Sequence, residues 1–251
     1  MPDIILPSIS VITVCLNASE TIRDTIESVI RQKYSNVEYI IVDGDSTDQT
    51  LNIVAEYRRH ISLLISEKDE GIYDAMNKGI EAAKGDVLYF LNADDRFMDD
   101  DVLIDVAREF SQDAGASLIY GNIVWQKNDI TQQSNQPDRI TREYLARKTL
   151  FHQSAFMKRN LFQRVGRYNI DYRVVADYRW FLDYFMKYEG NYRYIDRLIA
   201  YVSTSGISNS TSWEAERIDA MKDMFSHLEI IRFRKIPRLA ARIRGWLKGE
   251  N

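Results

Sequence analysis

The sequence predicts an α/β protein with a mostly parallel central sheet flanked by helices. Two observations indicate this fold class. Short apolar segments rich in β-branched residues alternate with segments whose apolar residues recur at helical spacing, as in a β-α-β succession. The apolar segments of the first half also end in polar residues, and ligands bind at that edge of an open α/β sheet. With 251 residues, 45% hydrophobic and 28% charged, the chain is long enough for one large domain or a domain with an appendage.

The first half of the chain alternates strictly between predicted strands and helices. Parallel neighbours need crossover connections, so this order predicts helices on both faces of the sheet. The elements are the strand Ile9–Leu16, a helix through Ile22, Ile26, Val29 and Ile30 capped by Asn17 or Ser19, the strand Val37–Val42, a helix through Leu51, Ile53, Val54 and Tyr57, the strand Ile61–Ile65, the helix Ile72–Ala83 and the strand Val87–Leu91.

After Asp95 the alternation loosens, and the chain is expected to end in a helical extension. The predicted elements are the helix Val102–Phe110, the strands Ser117–Trp125 and Ile130–Ser134 joined by a turn at Lys127–Asp129, a loop over Gln132–Arg139, the strand Phe151–Met157, the helices Arg159–Val165 and Val175–Tyr188, the strand Ile199–Ser203 and a long helix Trp213–Arg232.

Charge is distributed unevenly along the chain. The formal net charge of −4 argues against general nucleic-acid binding. Residues 232–249, in contrast, hold seven Lys and Arg and no acidic residue. Ile236, Leu239, Ile243 and Trp246 recur there at helical spacing, which predicts an amphipathic helix over 232–248 on an anionic membrane surface. The alternative is a packing helix with a solvated basic side.

The compartment is predicted from three absences. The N-terminus lacks the basic region and cleavage site of a signal peptide. No apolar run reaches about 18 residues, the length that a transmembrane helix needs. Cys15 is the one cysteine and cannot form an internal disulfide. We therefore expect a cytoplasmic protein.

Polar side chains follow each of the four predicted parallel strands. Because these strand ends lie side by side, the side chains should converge on one rim. They are Asn17 and Glu20, then Asp43 and Asp45, then Glu67 and Asp69, then Asp94 and Asp95. Adjacent carboxylates repel each other, and Mg²⁺ or Mn²⁺ is a suitable partner for them. The alternative for Asp94 and Asp95 is a solvated turn that caps a helix beginning near Asp99.

Six segments of the chain, in order, resemble a known family. They are ISVITVCLNA, VDGDSTDQT, SEKDEGIYDAMNKGI, KGDVLYFLNADD, FHQSAFMKR and VADYRWFL. This succession over residues 8–210 resembles the family 2 glycosyltransferases with the GT-A fold, in particular the bacterial enzymes of exopolysaccharide and O-antigen assembly of the colanic-acid type. GIYDAMNKG is the specific motif among them, whereas DSTD and NADD are weak on their own.

The resemblance implies an inverting transfer of a sugar from a nucleotide-sugar donor, expected to be a UDP-sugar, to an acceptor hydroxyl in bacterial surface polysaccharide assembly. It also implies Mn²⁺ or Mg²⁺ as cofactor. Asp94 and Asp95 match the family's metal and diphosphate element, although Asn92 replaces its usual first carboxylate. An inverting displacement needs one general base to take the acceptor proton. Asp177 matches that base; the alternatives are Asp171, Asp183 and a simple N-cap role for Asp177.

The remaining donor-site residues also follow from the resemblance. Asp43 and Asp69 match positions near the base and ribose, and Gly44 replaces the second Asp of the common VDDGSTD motif. Asn77 lies in the motif that shapes the same pocket. His152 matches a position near the diphosphate or the acceptor; the alternative is a structural histidine. With the rim residues, the expected donor-binding set is Asn17, Glu20, Asp43, Asp45, Asp69, Asn77, Asp94 and His152. Residues 205–208 resemble a loop that closes over the substrates; the alternative is a plain turn.

The resemblance also sets the expected organisation and the rivals. Residues 1–211 are expected to form the GT-A domain, with a nucleotide-binding half over 1–98 and an acceptor-binding half over 99–211, followed by an extension over 212–251. The acceptor is expected to be a saccharide, with a polyprenyl-diphosphate-linked sugar the form that would suit a protein at the inner face of the cytoplasmic membrane. One rival is a nucleotidyltransferase, which would carry a Gly- and Arg/Lys-rich loop where this chain has CLNASETI. The other is a non-catalytic nucleotide-sugar-binding protein.

Overall fold

The structure, a computed structural model, describes residues 5–127, 130–188, 190–203 and 213–235. Within these residues the chain forms one nine-stranded sheet. Its strands are β1 Ile9–Cys15, β2 Val37–Asp43, β3 Leu63–Ser66, β4 Val87–Phe90, β5 Arg96–Phe97, β6 Leu118–Lys127, β7 Ile130–Ser134, β8 Ala155–Lys158 and β9 Tyr192–Val202. Their spatial order is β3-β2-β1-β4-β8-β6-β9-β5, with β7 paired to β6.

Helices cover both faces of this sheet. They are α1 Ile22–Ile30, α2 Thr50–Glu56, α3 Ile72–Ala82, α4 Val102–Gln112, α5 Arg142–Arg147, α6 Leu161–Arg164, α7 Ala176–Lys187, α8 Trp213–Met221 and α9 His227–Ile230. Alternate residues of β1 enter different cores, with Ile9 and Val11 on one face and Ile12 and Val14 on the other. The whole of β1 is buried, as expected for a central strand covered on both faces.

The first four strands of the predicted parallel sheet are confirmed. β1 pairs in parallel with β2 and β4, and β2 pairs in parallel with β3. The carboxyl ends of these strands therefore lie along one edge. Beyond β4 the sheet becomes mixed: β8 runs antiparallel to β4 and β6, while β6 and β9 are parallel.

The reversed direction of β8 positions the functional residues. Because β8 is antiparallel to β4, the residues just before β8 lie beside the residues just after β4. Tyr89 is opposite Phe156 in this pairing, so His152 and Gln153 approach the strand end that carries Asp94 and Asp95. In the same way, β5 pairs antiparallel with the end of β9 and brings Ser203 to that edge.

Several predicted elements differ in their limits. The predicted strand Phe151–Met157 begins with a 3₁₀ turn over His152–Ser154 and is extended only from Ala155. The third strand begins at Leu63 instead of Ile61 and is preceded by a 3₁₀ turn over Arg58–His60. The last strand begins at Tyr192 instead of Ile199, because its pairing with β6 starts there. The strand β5 and the helix α5 were not predicted.

The long helix predicted over Trp213–Arg232 is wrong. The helix α8 ends at Met221, and a new helix begins after Ser226. Ser226 and Glu229 form a reciprocal capping box, which satisfies backbone groups at a helix start and so favours a break there. Phe225, between the two helices, is buried. The chain continues as a π-helical turn over Ile231–Lys235.

Two capping predictions also differ from the structure. Asn17 has a positive φ of 50° and does not cap α1, whose N-cap residue is Thr21. The helix expected near Asp99 begins at Val102.

No helix of the described residues is long and apolar enough to cross a membrane. The turn at 128–129, the loop at 205–208 and most of the basic segment 232–248 lie outside the described residues.

The described part of the C-terminal extension packs on the second half of the domain. Ala220, Met221 and Phe225 form one buried cluster with Leu145 of α5 and Leu182 of α7. Arg142 pairs with Glu229 at 2.8 Å across the same contact. The described part of the extension, through residue 235, therefore packs against α7, the helix that carries Asp177.

Candidate active site

The ends of β1 and β2 form a tightly hydrogen-bonded turn. Asn17 Oδ1 accepts a bond from the Thr47 backbone N–H at 2.9 Å, and the Asn17 N–H donates to Ser46 Oγ at 2.8 Å. Asp43 is fully buried, and its Oδ2 accepts bonds from the Ser46 N–H at 3.1 Å and the Ser66 hydroxyl at 2.9 Å. The buried carboxylate of Asp43 therefore fixes the conformation of this turn through hydrogen bonds.

Three other predicted rim residues are more open to solvent. Glu20 and Asp45 are exposed, and Asp69 is half-buried. Asp45 has a positive φ of 69°, a backbone conformation that costs free energy for a residue other than glycine and is enriched at functional sites. Asp69 Oδ1 accepts a bond from the Gly71 N–H at 2.9 Å, directly before α3. The end of β3 thus adds a carboxylate to the rim.

Asn77 ties the two halves of the chain together. Its Nδ2 donates to the Tyr168 carbonyl at 2.9 Å, and its Oδ1 accepts a bond from the Tyr168 N–H at 3.0 Å. Both ends of the amide are therefore used by one backbone position of the second half. The hydrogen bonds that the structure describes for the Asn77 side chain therefore go to Tyr168 and not to another predicted donor-site residue.

Asp95 is buried under the end of β4, with 2% of its surface exposed. Its Oδ1 accepts a bond from the Ser203 N–H at 2.9 Å, and its Oδ2 accepts a bond from Gln153 Nε2 at 3.2 Å. Burial, and next the charge of Asp94, raise the pKa of Asp95 to about 7. The alternative of a solvated Asp-Asp turn is therefore wrong for Asp95, although Asp94 remains half-buried.

The oxygen atoms beside Asp94 suit a hard divalent cation. Asn92 Oδ1 is buried and has no hydrogen-bond partner within the described part of the chain, an arrangement that calls for an explanation such as an ion. Together with Asp94 it offers amide and carboxylate oxygens, the ligands that Mg²⁺ and Mn²⁺ prefer. No three His, Cys, Asp or Glu residues of the described chain form a metal cluster. The few protein oxygens fit an ion held partly by substrate phosphates.

Asp177 stands at the centre of a second cluster. Its Oδ2 lies 3.1 Å from His152 Nδ1, and its Oδ1 accepts bonds from the Tyr73 hydroxyl at 2.9 Å and the Tyr178 N–H at 2.7 Å. His152 Nε2 lies 3.4 Å from Asn92 Nδ2. A continuous polar chain therefore links Tyr73, Asp177, His152 and Asn92, from α3 to the end of β4.

The contacts of the alternative bases differ from those of Asp177. Asp183 is paired with Arg179 at 2.9 Å and Lys187 at 2.7 Å. Asp171 is exposed. Asp177 is not the N-cap of α7 either, because the cap position is Val175 and no side chain caps that end. Among these carboxylates, Asp177 is the one joined to the end of β4 through hydrogen-bonded side chains.

Tyr73 and Gln153 belong to the site but were not singled out in the sequence. Tyr73 lies in GIYDAMNKG, and Gln153 follows His152 in FHQSAF. Their contacts with Asp177 and Asp95 span 104 and 58 residues of sequence. The only local signal was their position inside the motifs that carry the family resemblance.

The sequence comparisons identify the class of protein that this site belongs to. The model of glycosyl transferase family 2 matches residues 10–178, a range that includes all four parallel strand ends, His152 and Asp177. The chain therefore belongs to glycosyltransferase family 2. It is similar, with 30% identity over 243 residues, to a PGL/p-HBAD biosynthesis glycosyltransferase of Mycobacterium tuberculosis, and the match covers 94% of this chain and 93% of that relative.

Solved structures confirm the GT-A fold. S. aureus TarS 1-349 in complex with UDP-GlcNAc matches with a TM-score of 0.72 and 17% identity, over 89% of this chain and 66% of TarS. Mannosyltransferase PcManGT from Pyrobaculum calidifontis, in complex with GDP-Man and Mn²⁺, matches with a TM-score of 0.61 and 20% identity, over 87% of this chain and 63% of that one. This chain therefore spans about two thirds of either structure, and the likeness concerns the fold alone.

Proposed function

We propose that this glycosyltransferase is an inverting, metal-dependent enzyme that moves a sugar from a UDP-sugar to an acceptor hydroxyl in bacterial surface polysaccharide assembly. The observation that carries the proposal is the hydrogen-bonded chain from Asp177 through His152 to Asn92. This chain connects the Asp177 carboxylate, which is suited to proton transfer, with the end of β4. There Asn92 and Asp94 offer oxygens suited to a cation that holds the donor's diphosphate. The UDP-GlcNAc complex of the structurally similar TarS supports the choice of donor class.

We assign the deprotonation of the acceptor hydroxyl to the cluster around Asp177. In an inverting displacement the acceptor oxygen attacks the anomeric carbon while the bond to the diphosphate breaks. The acceptor hydroxyl must lose its proton during this step, and no enzyme nucleophile is needed. Asp177 is the proposed general base for this proton. Its place in the family motif and its contact with His152 support the assignment.

The proposed metal ligands are Asp94 and, next to it, Asn92. A bound Mn²⁺ or Mg²⁺ would supply Lewis-acid stabilisation of the diphosphate leaving group. Asp95 was also predicted to bind the metal. Its contacts favour a different role, because each of its carboxylate oxygens accepts a hydrogen bond from the protein. We assign to Asp95 the task of fixing the position of Asp94.

The donor nucleoside is proposed to lie along the ends of β1, β2 and β3. Asp45, Asp69 and Glu20 would meet it directly, because they are exposed or half-buried. Asn17 and Asp43 would act by holding the turn that shapes this surface. Asn77 would act at a distance, through the Tyr168 backbone.

The acceptor is proposed to be a saccharide, carried on a polyprenyl diphosphate at the inner face of the cytoplasmic membrane. The support is the basic amphipathic pattern of residues 232–248 and the relative named for PGL/p-HBAD biosynthesis. The domain organisation proposed above, with a nucleotide half over 1–98 and an acceptor half over 99–211, accords with the two clusters that meet at the end of β4.

The proposal is tested by a thermal-shift screen of nucleotide sugars with Mn²⁺. A donor at 100 times its dissociation constant stabilises the folded state by about 2.7 kcal/mol. Asp94→Asn should lose most of the metal-dependent part of this shift. Asp171→Asn is the matched control, since it removes an exposed carboxylate outside the site. Equal shifts in Mn²⁺ and in EDTA would refute the metal assignment.

Catalysis is tested separately from binding. A transferase usually hydrolyses its donor slowly when acceptor is absent, so UDP should accumulate with the donor that the screen identifies. Binding without any UDP release would favour the non-catalytic rival. Release of diphosphate from a nucleoside triphosphate would favour the nucleotidyltransferase.

A further inference from the structure

We propose that Glu216 of α8, in the C-terminal extension, is a positioning residue that holds the segment before Asp177 where proton transfer requires it. The proposal rests on the function proposed above, in which Asp177 is the base, and deepens it. It gives the described part of the extension a role in the transfer reaction itself, in addition to its packing against the domain.

Glu216 binds two consecutive backbone N–H groups directly before α7. Its Oε1 accepts a bond from the Arg173 N–H at 3.3 Å, and its Oε2 accepts one from the Val174 N–H at 2.9 Å. Hydrogen bonds to an ionised carboxylate are stronger than those between neutral groups. A side chain that uses both oxygens in this way fixes the orientation of the peptide groups three and four residues before Asp177.

A side chain of α3 holds the same segment through its carbonyl. The Val174 carbonyl lies 2.8 Å from the Tyr73 hydroxyl, which also lies 2.9 Å from Asp177 Oδ1. The N–H of Val174 is therefore bound by Glu216 and its carbonyl is within reach of Tyr73. Since Val174 leads directly into α7, the placement of the first turn of that helix depends on side chains from two other helices.

The helix α8 also contacts the residue that follows Asp177. Arg217 is buried, and its Cζ lies over the Tyr178 ring, 4.4 Å from the ring centroid. The Tyr178 N–H in turn donates to Asp177 Oδ1 at 2.7 Å. Two consecutive residues of α8 thus contact the chain on both sides of Asp177, Glu216 before it and Arg217 after it. We therefore expect the position of the Asp177 carboxylate to depend on α8.

The helix α8 is anchored by contacts that do not involve Glu216. Ala220 and Met221 lie in a buried apolar cluster with residues of α5 and α7. Arg179 of α7 pairs with Asp223, just after α8, at 2.8 Å. Removal of the Glu216 carboxylate should therefore leave α8 in place and release only the segment before α7. A variant at this position consequently tests positioning separately from folding.

Hydrogen exchange of the full chain tests the contact without any substrate. In Glu216→Ala the amides of Arg173 and Val174 should exchange faster than in the wild type, and Glu216→Gln should be intermediate, since its amide keeps one accepting oxygen. Asp219→Ala is the matched control. It removes an exposed carboxylate of the same helix, whose contact with this segment is a hydrogen bond to the Tyr172 hydroxyl at 3.3 Å. Equal exchange in Glu216→Ala and in the wild type would overturn the proposal.

Kinetics test the consequence for the reaction. The measured rate is UDP release from the donor found in the screen, in which water takes the place of the acceptor hydroxyl. Glu216→Ala should lower kcat by about 10- to 100-fold, because a small misplacement of a catalytic group is costly. The donor KM and the dissociation constant of UDP in Mn²⁺ should stay within about twofold of the wild type. Glu216→Gln should recover part of the rate, and Asp219→Ala should behave as wild type.

The outcomes separate positioning from a purely structural role. If Glu216→Ala exchanges faster but keeps the wild-type kcat, the contact does not position the base. If kcat falls only together with UDP affinity and melting temperature, or falls equally in Asp219→Ala, the effect is one on folding. Either result overturns this inference and leaves the proposed function standing. If the wild type neither binds nucleotide sugars nor releases UDP, the proposed function fails and the positioning role fails with it, although faster exchange in Glu216→Ala would still establish the contact.

Discussion

The carboxylate of Asp69 occupies the space that a side chain at residue 44 would need. A Cβ added to Gly44 would overlap Asp69 Oδ2, and Gly44 itself is buried in the turn after β2. The Gly at this position, which departs from the common VDDGSTD motif, is thus matched by a carboxylate from the end of β3. We infer that Asp69 provides the negative charge that a second Asp in the motif would have supplied.

Gly44→Ala should therefore weaken nucleotide binding by displacing the Asp69 carboxylate. We expect the dissociation constant of UDP in Mn²⁺ to rise about tenfold, equivalent to about 1.4 kcal/mol, as measured by calorimetry. The double variant Gly44→Ala with Asp69→Gly relieves the overlap but removes the carboxylate. The compensating exchange Gly44→Asp with Asp69→Gly should bind better than that double variant; equal affinities would contradict the inferred charge exchange.

The buried Asp95 predicts a specific pH dependence of stability. An Asp in an unfolded chain titrates near pH 3.9, whereas the pKa of Asp95 in the folded protein is raised to about 7. Between these values the folded state keeps a proton that the unfolded state loses, so the contribution of Asp95 is full below about pH 4 and declines as pH rises. The decline has a limiting slope of about 1.4 kcal/mol per pH unit.

Urea unfolding in EDTA checks this prediction. Asp95→Asn should flatten the pH dependence, so that its stability relative to wild type improves as pH rises from about 4.5 to 6.5. Asp171→Asn, an exposed carboxylate, should run parallel to wild type. Parallel curves for Asp95→Asn would show that Asp95 titrates normally.

Tyr73→Phe should lower kcat without changing the affinity for the donor nucleotide. The Tyr73 hydroxyl lies 2.9 Å from Asp177 Oδ1 and 2.8 Å from the Val174 carbonyl, and its single proton serves one of them at a time. Loss of this bond should cost about 1 kcal/mol of stability and about tenfold in kcat, with the affinity for UDP unchanged. Tyr188→Phe, at an exposed tyrosine, is the control. A change in UDP affinity alone would contradict the assigned role.

The basic C-terminal segment should bind anionic vesicles. Full-length protein is expected to co-sediment with phosphatidylglycerol vesicles and not with phosphatidylcholine vesicles, and to be released as salt rises. Truncation after Lys235 keeps the buried Phe225 and Ile230 and should abolish binding. Co-sedimentation that survives this truncation would assign the contact to the globular domain.

The parallel half of the fold could be predicted because its signals are local. Each strand from β1 to β4 is a mainly apolar run of four to seven residues, so its type depends largely on its own residues. The capping box at Ser226 and Glu229 was equally local, and the S-x-x-E pattern would have predicted the break in the C-terminal helix. The side-chain cap that Thr141 gives to α5 is another local signal that could have been used.

The geometry of the site could not be predicted in the same way. Asp94 and Asp95 are adjacent in sequence and look equivalent. Asp95, however, is buried and accepts hydrogen bonds from Ser203 and Gln153, which lie 108 and 58 residues further along the chain. The direction of β8, which no local pattern fixes, decides which residues meet at the end of β4. The motif identified Asp177 and His152, but their contact depends on that tertiary arrangement.

The helix α3 links the end of β3 to the segment that carries Asp177. It begins just after Asp69 on the nucleotide side, and its Tyr73 and Asn77 hold the backbone and side chains of the segment from Tyr168 to Asp177. In the proposed function, a nucleotide that orders the start of this helix would also order the segment around Asp177, so that the acceptor would lose less entropy on binding. In the proposed function, donor and acceptor would then bind with positive cooperativity, transmitted through this eleven-residue helix.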